Sequence, residues 1–212
     1  KGGARPDRQG IDDALAGNLC RCTGYGPIID AANAMYGDSE AADFAAEEKD
    51  VIAQLTAMES DETVEVSQGG RRYFAPATVA AMAELLVANP EATIVAGATD
   101  VGLWVTKMHK RLDTVIYTGR VKELLEIREA DGFIDIGAAV SHSDAWDLIG
   151  RHYPDFGELI RRLGSTQVRN AGTIGGNIAN GSPIGDTPPA LIAADARLVL
   201  RKGDARREIA LE

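Results

Sequence analysis

Only two cysteines occur in this chain, and they stand two positions apart in Leu19-Cys20-Arg21-Cys22-Thr23-Gly24-Tyr25. A disulfide between them is disfavoured, because Cα atoms two residues apart rarely permit unstrained S–S geometry. Two thiolates presented from one turn are instead suited to share a metal or an iron–sulfur cluster with further thiolates. Cys20 and Cys22 cannot complete a four-cysteine site by themselves, so spacing alone leaves a second reading open, two idle thiols at a helix end. Two glycine-bearing loops carry the other candidate chemistry: Ala96-Gly97-Ala98-Thr99-Asp100-Val101-Gly102 and Gly172-Thr173-Ile174-Gly175-Gly176-Asn177-Ile178-Ala179-Asn180-Gly181. Glycines let the backbone approach a ligand closely and adopt positive φ, so that successive N–H groups converge on an anion. Thr99, Thr173, Asn177 and Asn180 add hydroxyl and amide groups that reach phosphate or sugar oxygens. The first loop follows an apolar strand but is not G-x-G-x-x-G, and a tight strand-to-helix turn is its plainer reading. The plainer reading of the second is an exposed loop.

The remaining candidates are weaker. His109, His142 and His152 are scattered and form no i, i+4 pair, which reads as surface histidine. His142-Ser143-Asp144 has the residue types of a hydrolase triad, yet adjacent residues cannot supply that geometry. Trp104 and Trp146 lie in apolar surroundings and read as core, and Glu47–Asp50 reads as a solvated helix face. No acid, base or nucleophile stands out as catalytic.

The elements that must position these groups follow from periodicity and punctuation. Residues 1–37 read as two short helices around the cysteine turn, Ile11–Leu19 and then Pro27–Tyr36, with Pro at the first helical position and Gly37 as the stop. Residues 38–68 are acidic and alanine-rich and read as a linker holding a solvated helix and a polar strand, Thr63–Val66. Gln68-Gly69-Gly70 turns into a strand at Arg71–Phe74, where an α+β domain over 69–212 begins. Thr78 caps a helix through Val87, and Thr93–Ala96 is a strand. Asp131-Gly132 joins Glu126–Ala130 to Phe133–Gly137 as a hairpin. Ser143–Tyr153 and Asp155–Leu163 are helices split by Pro154. From Gly164 to Pro189 helical periodicity is lacking, which predicts a long functional loop. A short helix near Ala190–Ala194 and a strand at Arg197–Arg201 follow.

Composition narrows the classes further. With 212 residues, 45% hydrophobic and 25% charged, the chain has room for a sizeable core. Its net charge of −10 argues against a nucleic-acid or anionic-membrane partner, since both need a basic patch and the arginines come in pairs rather than a stripe. No apolar run approaches the roughly 20 residues of a membrane span. Scarce cysteine and the lack of a leader-like segment predict a cytoplasmic setting. The start at Lys1, without Met, predicts a piece of a longer or processed product.

Taken together, the motifs resemble one family. Leu19-Cys20-Arg21-Cys22-Thr23-Gly24-Tyr25-Gly26-Pro27-Ile28 resembles the second half of the helical [2Fe-2S] domain of molybdenum hydroxylases. Ile94-Val95-Ala96-Gly97-Ala98-Thr99-Asp100 and Thr173 through Asp186 resemble the two FAD-binding segments of the same enzymes, in the same order. Within the family, cysteine turn and flavin loops on one chain are similar to the bacterial xanthine dehydrogenase arrangement; carbon monoxide dehydrogenases divide them between chains. The resemblance implies an α+β fold: a helical [2Fe-2S] remnant (1–37), a linker (38–68), and a flavin domain of the vanillyl-alcohol-oxidase type (69–212) that stops before its C-terminal part. It implies that Cys20 and Cys22 are two ligands of a [2Fe-2S] cluster whose C-x₂-C partners lie upstream. It also implies that Ile94, Val95, Ala96, Gly97, Ala98, Thr99, Asp100 and Val101 wrap the FAD pyrophosphate. Thr173, Ile174, Gly175, Gly176 and Asn177 would hold the other side of the cofactor, and Asp186 would accept from a flavin or ribityl hydroxyl.

Two positions depart from the family pattern. Leu163 stands where relatives place an aromatic ring against the cofactor, which forfeits stacking of about 0.5–1.5 kcal/mol. Gly26 replaces an arginine common after the tyrosine. The activity implied is electron transfer in purine oxidation, from a molybdenum cofactor on a large partner subunit through [2Fe-2S] clusters to FAD and then NAD, in a heterotetramer of two chain types. The 212-residue piece alone is then expected to be inactive, to hold FAD weakly or not at all, and to hold no intact cluster. The competing expectations are an aldehyde- or carbon-monoxide-oxidising relative and a non-enzymatic nucleotide-binding or assembly module.

Overall fold

Helix α1 (Arg8–Leu15) starts where the Asp7 carboxylate accepts the Gly10 N–H at 2.8 Å, a side-chain cap that satisfies one of the orphan donors of a first turn. The computed structural model describes residues 5–36, 45–130 and 132–212. The chain divides into two compact units, Lys1–Ser60 with Gly164–Thr166 and Asp61–Leu163 with Gln167–Glu212.

In the first unit, α1 buries Ile11 and leaves helical geometry at Ala16, with Gly17 at φ +83°. The helix expected over Ile11–Leu19 therefore lies about a turn earlier, because the Asp7 cap sets its start. Helix α2 (Tyr25–Ala34) follows Gly24 at φ +80° and places Pro27 third in its first turn, where a missing N–H removes no helical bond. It too lies earlier than the expected Pro27–Tyr36. Helix α3 (Ala45–Ala57) carries the exposed Glu47–Asp50 face. Gly37 and Ser39–Asp43, read as a helix stop and part of the acidic stretch, lie outside the described residues.

In the second unit, β1 (Val64–Gln68) and β2 (Arg71–Ala75) pair antiparallel across Gly69-Gly70, whose φ of +57° and +76° suit a two-residue hairpin. The strand expected at Thr63–Val66 within a linker is thus an edge strand of a sheet. Helix α4 (Val79–Ala88) is capped by the Thr78 hydroxyl on Ala81 N–H at 3.2 Å, as expected. β3 (Thr93–Val95), α5 (Val101–Thr106) and β4 (Thr114–Tyr117) follow, and the sheet runs β1-β2-β4-β3 with β4 parallel to both its neighbours. Ile116 of β4, fully buried, and Phe74 of β2 anchor this sheet to the interior. A 3-10 turn (Lys122–Leu124) leads to the hairpin β5 (Ile127–Ala130) and β6 (Phe133–Ile136), with Gly132 at φ +79° in its turn; Asp131 lies outside the described residues.

Helices α6 (His142–His152) and α7 (Pro154–Arg162) approach so closely that a Cβ on Gly157 would lie 2.7 Å from Gly150 Cα. Their inner faces build the core of Val140, Ala145, Ile149, Phe156, Ile160, Ile174 and Leu191. Trp146 packs on this core as expected, whereas Trp104 is half-buried beneath Lys110, 4.7 Å above its ring. The stretch from Gly164 to Pro189 is not the long loop that its composition suggested. It holds α8 (Thr166–Ala171), α9 (Ile174–Asn180) and the start of α10 (Thr187–Ala193). Thr173 caps α9 and Gly181, in the left-handed region, ends it; three short helices rich in Gly, Asn and Pro leave little apolar periodicity to read. Strands β7 (Arg197–Lys202) and β8 (Ala205–Ala210) close the described chain as a hairpin, and β8 was not foreseen.

Candidate functional site

The first glycine loop leaves β3 at Val95, whose carbonyl accepts the Thr118 N–H at 2.9 Å, and re-enters a helix at Val101. Gly102 N–H returns to Ala98 O at 2.8 Å and Leu103 N–H to Asp100 O at 2.8 Å, which folds the loop over the start of α5. The positive φ falls on Ala98, at +56°, not on Gly97. A left-handed alanine costs about 1–2 kcal/mol, and a left-handed residue in such a loop is the backbone conformation found in anion-binding nests. Among the described residues, the N–H groups of Gly97, Ala98, Thr99 and Asp100 have no acceptor within the protein. Ile94, Ala98 and Thr99 are exposed, and Asp100 makes no capping bond of its own.

The second loop works differently. Ile174 N–H donates to Val140 O at 3.0 Å, Gly175 N–H to Ala138 O at 3.1 Å, Gly176 N–H to the Thr173 hydroxyl at 3.0 Å, and Asn177 N–H to Thr173 O at 2.9 Å. Its amides are spent inside the protein, so the shared backbone logic read from the two sequences holds for the first loop alone. What the second loop can offer a ligand is side chains. Its glycines answer to packing as well: a Cβ on Gly175 would lie 2.6 Å from Ala138 O, and one on Gly176 would lie 2.6 Å from Thr173 Oγ1.

The structure brings the two loops together. A Cβ on Gly97 would fall 1.7 Å from Ala171 O, and one on Gly176 would lie 3.9 Å from Ala96 Cβ. Asn177 Oδ1 accepts from the Thr187 hydroxyl at 2.5 Å, which ties α9 to the start of α10, where Asp186 stands exposed. Leu163 is half-buried at the end of α7 and is held through α8, since Arg169 Nη1 donates to Leu163 O at 3.1 Å and to Arg161 O at 3.0 Å. Arg169 is 3% exposed and sits 5.7 Å from the Trp146 ring centroid. The sequence carried no signal for this buried cation or for Thr187, because both act through partners distant along the chain.

One histidine contradicts its sequence reading. His142 is buried, not on the surface; its backbone N–H donates to Gly172 O at 3.0 Å and its ring lies against Gly172. Nδ1 is among two buried side-chain atoms without a partner in the described residues, the other being Thr118 Oγ1, and burial pushes its pKa below the usual 6.5. His109 and His152 are exposed, the latter against Glu129 at 3.2 Å.

In the first unit Cys20 Sγ and Cys22 Sγ lie 3.6 Å apart as free thiols. The Thr23 backbone N–H, then the Cys22 thiol, the Thr23 hydroxyl and the Gly24 N–H act on Cys20 and lower its pKa from 9.0 to about 7. A thiolate held by converging N–H donors is the form that binds metal. The separation also suits two thiolates on one tetrahedral metal, about 3.8 Å apart for bonds of about 2.3 Å. Among the described residues no group of three or more His, Cys, Asp or Glu could hold a metal ion; the pair supplies two of the four thiolates that a [2Fe-2S] cluster takes. The four open amides of 97–100 fit the pyrophosphate of FAD by the same criterion of available donors. No described helix is long and apolar enough to cross a membrane.

Comparison with known proteins bears on both units. Residues 50–212 match the model of the FAD binding domain in molybdopterin dehydrogenase, and residues 1–33 match a [2Fe-2S] binding domain. The chain is similar to xanthine dehydrogenase of Emericella nidulans, at 25% identity over 97% of this chain and 19% of the relative. It is also similar to aldehyde oxidase 2 of Macaca fascicularis, at 22% identity over 98% and 19%. Among solved structures, carbon monoxide dehydrogenase from Hydrogenophaga pseudoflava, lacking the Mo-pyranopterin moiety, superposes with a TM-score of 0.63 at 30% identity, covering 69% of this chain and 52% of that one. The chain spans about a fifth of the length of the curated relatives it matches.

Proposed function

The chain belongs to the family of FAD binding domains in molybdopterin dehydrogenases, and on that premise we propose that it is the iron–sulfur and flavin electron-transfer part of a xanthine dehydrogenase of the bacterial type. FAD and [2Fe-2S] centres, when bound, supply the redox chemistry. The chain's own residues bind and orient. Backbone N–H groups of Gly97, Ala98, Thr99 and Asp100 would hold the FAD pyrophosphate, and the side chains of Thr173, Asn177 and Asp186 would meet the remainder. Ile94, Val95, Ala96 and Val101 carry the loop, Ile174, Gly175 and Gly176 seat its neighbour, and Leu163 would line the flavin region without an aromatic face. Cys20 and Cys22 would contribute two thiolates to a cluster.

The observation that carries this reading is the run of four amides without an acceptor, folded against the second loop. In the proposed assembly, substrate is oxidised at a molybdenum cofactor on a separate large subunit, NAD is the final acceptor, two copies of each chain associate, and the whole is cytoplasmic. The domain limits 1–37, 38–68 and 69–212 belong to the same proposal. Anaerobically purified full-length chain is expected to show flavin absorption near about 450 nm with broad iron–sulfide bands; a colourless chain without flavin or iron would falsify the reading. The likeness to aldehyde oxidase and carbon monoxide dehydrogenase supports a second reading, a module serving one of those reactions. The substrate turned over by the large subunit separates the two.

A further inference from the structure

Asn177 has two ends of nearly equal size, a carbonyl oxygen that accepts and an NH₂ that donates, and whichever faces outward decides what this position offers a ligand. We infer that Thr187 is a positioning residue for the cofactor: its hydroxyl orients Asn177 so that the amide Nδ2 faces the flavin-binding region as a donor, an inference that rests on the flavin reading above. Thr187 is fully buried, and its Oγ1 lies 2.5 Å from Asn177 Oδ1. A buried hydroxyl proton needs an acceptor, and Asn177 Oδ1 is the one within reach among the described residues. With the amide turned over, the NH₂ would donate to Thr187 and leave that proton unpaired, which is the costlier arrangement. The other end is open: among the described residues Asn177 Nδ2 has no hydrogen-bond partner and is not among the buried unpaired atoms. It projects from α9, whose first turn abuts Ala96 of the amide-bearing loop.

The test titrates FAD into deflavinated full-length chain, followed by flavin fluorescence, with thermal unfolding of each apo-protein alongside. Thr187→Val keeps the shape and removes the hydroxyl, and is expected to weaken FAD binding about tenfold. Thr187→Ser is expected to restore wild-type affinity. Asn177→Asp, which puts an acceptor at the open end, is expected to weaken binding at least as much, and Thr187→Val added to it is expected to change little further. Wild-type affinity in Thr187→Val overturns the inference, as does a Thr187→Ser variant as impaired as Thr187→Val. Unchanged affinity in Asn177→Asp also overturns it. A wild-type chain that takes up no FAD overturns the flavin reading itself, an outcome distinct from the others.

Discussion

Protonating a buried imidazole with no partner for Nδ1 is unfavourable, and His142 is such a group. Its folded-state pKa lies below 6.5, so the unfolded chain takes up the proton first as pH falls past about that value. The stability that His142 contributes by staying neutral is fully present above pH 6.5 and is lost as pH falls toward the folded-state pKa, at no more than about 1.4 kcal/mol per pH unit. His142→Leu should remove this part of the slope and, by deleting an unpaired buried nitrogen, leave stability at pH 7.5 unchanged or about 1 kcal/mol higher. Urea denaturation at pH 7.5 and 5.5 checks both, and an equal loss in wild type and variant would rule the effect out. The sequence could not reveal this histidine as buried, since His142 opens α6 only because Ser141 caps it and Thr173 bridges back to Ser141.

At the scale of elements, the glycines of the site divide by what surrounds them. Gly97 meets Ala171 O and cannot carry a side chain without separating the two loops, whereas Gly102, on α5, has open space where a Cβ would stand. In the full-length chain Gly97→Ala is expected to cost about 1–3 kcal/mol and to release FAD, and Gly102→Ala to raise stability by up to about 1 kcal/mol with FAD retained. Thermal unfolding and FAD titration of the two variants make the comparison; equal tolerance of both would show that the loops need not touch. Both glycines stand out in the sequence in the same way. Which of them is a packing requirement depends on α8 and its last carbonyl, which arrive from more than sixty residues away.

For the whole molecule, the two units differ in how they are built. The second carries the contiguous core, and Ile160 of α7 is one of its fully buried members. Ile160→Ala should lower its stability by about 2–5 kcal/mol, read as a shift in the denaturant midpoint with little change in slope. Loss of flavin before unfolding would indicate that the core also tunes the site. In the proposed site the FAD anion would meet neutral backbone donors, the open amides of 97–100, rather than a cationic cluster, in keeping with a net charge of −10.

Local rules sufficed for the turn at Gly69-Gly70, the Thr78 cap, α6 and α7 around Pro154, and the cysteine turn, because each depends on residues adjacent in the chain. The same residues carried the resemblance to molybdenum hydroxylases. Tertiary structure alone decided that the 164–189 stretch is helical, that β1 belongs to the sheet, and that only the first glycine loop keeps its amides open. The reason is physical: whether an N–H group is free depends on acceptors such as Val140 O and Ala138 O, which the fold brings in from more than thirty residues away. A sequence names the donors of a site, but the packing around them determines which remain available.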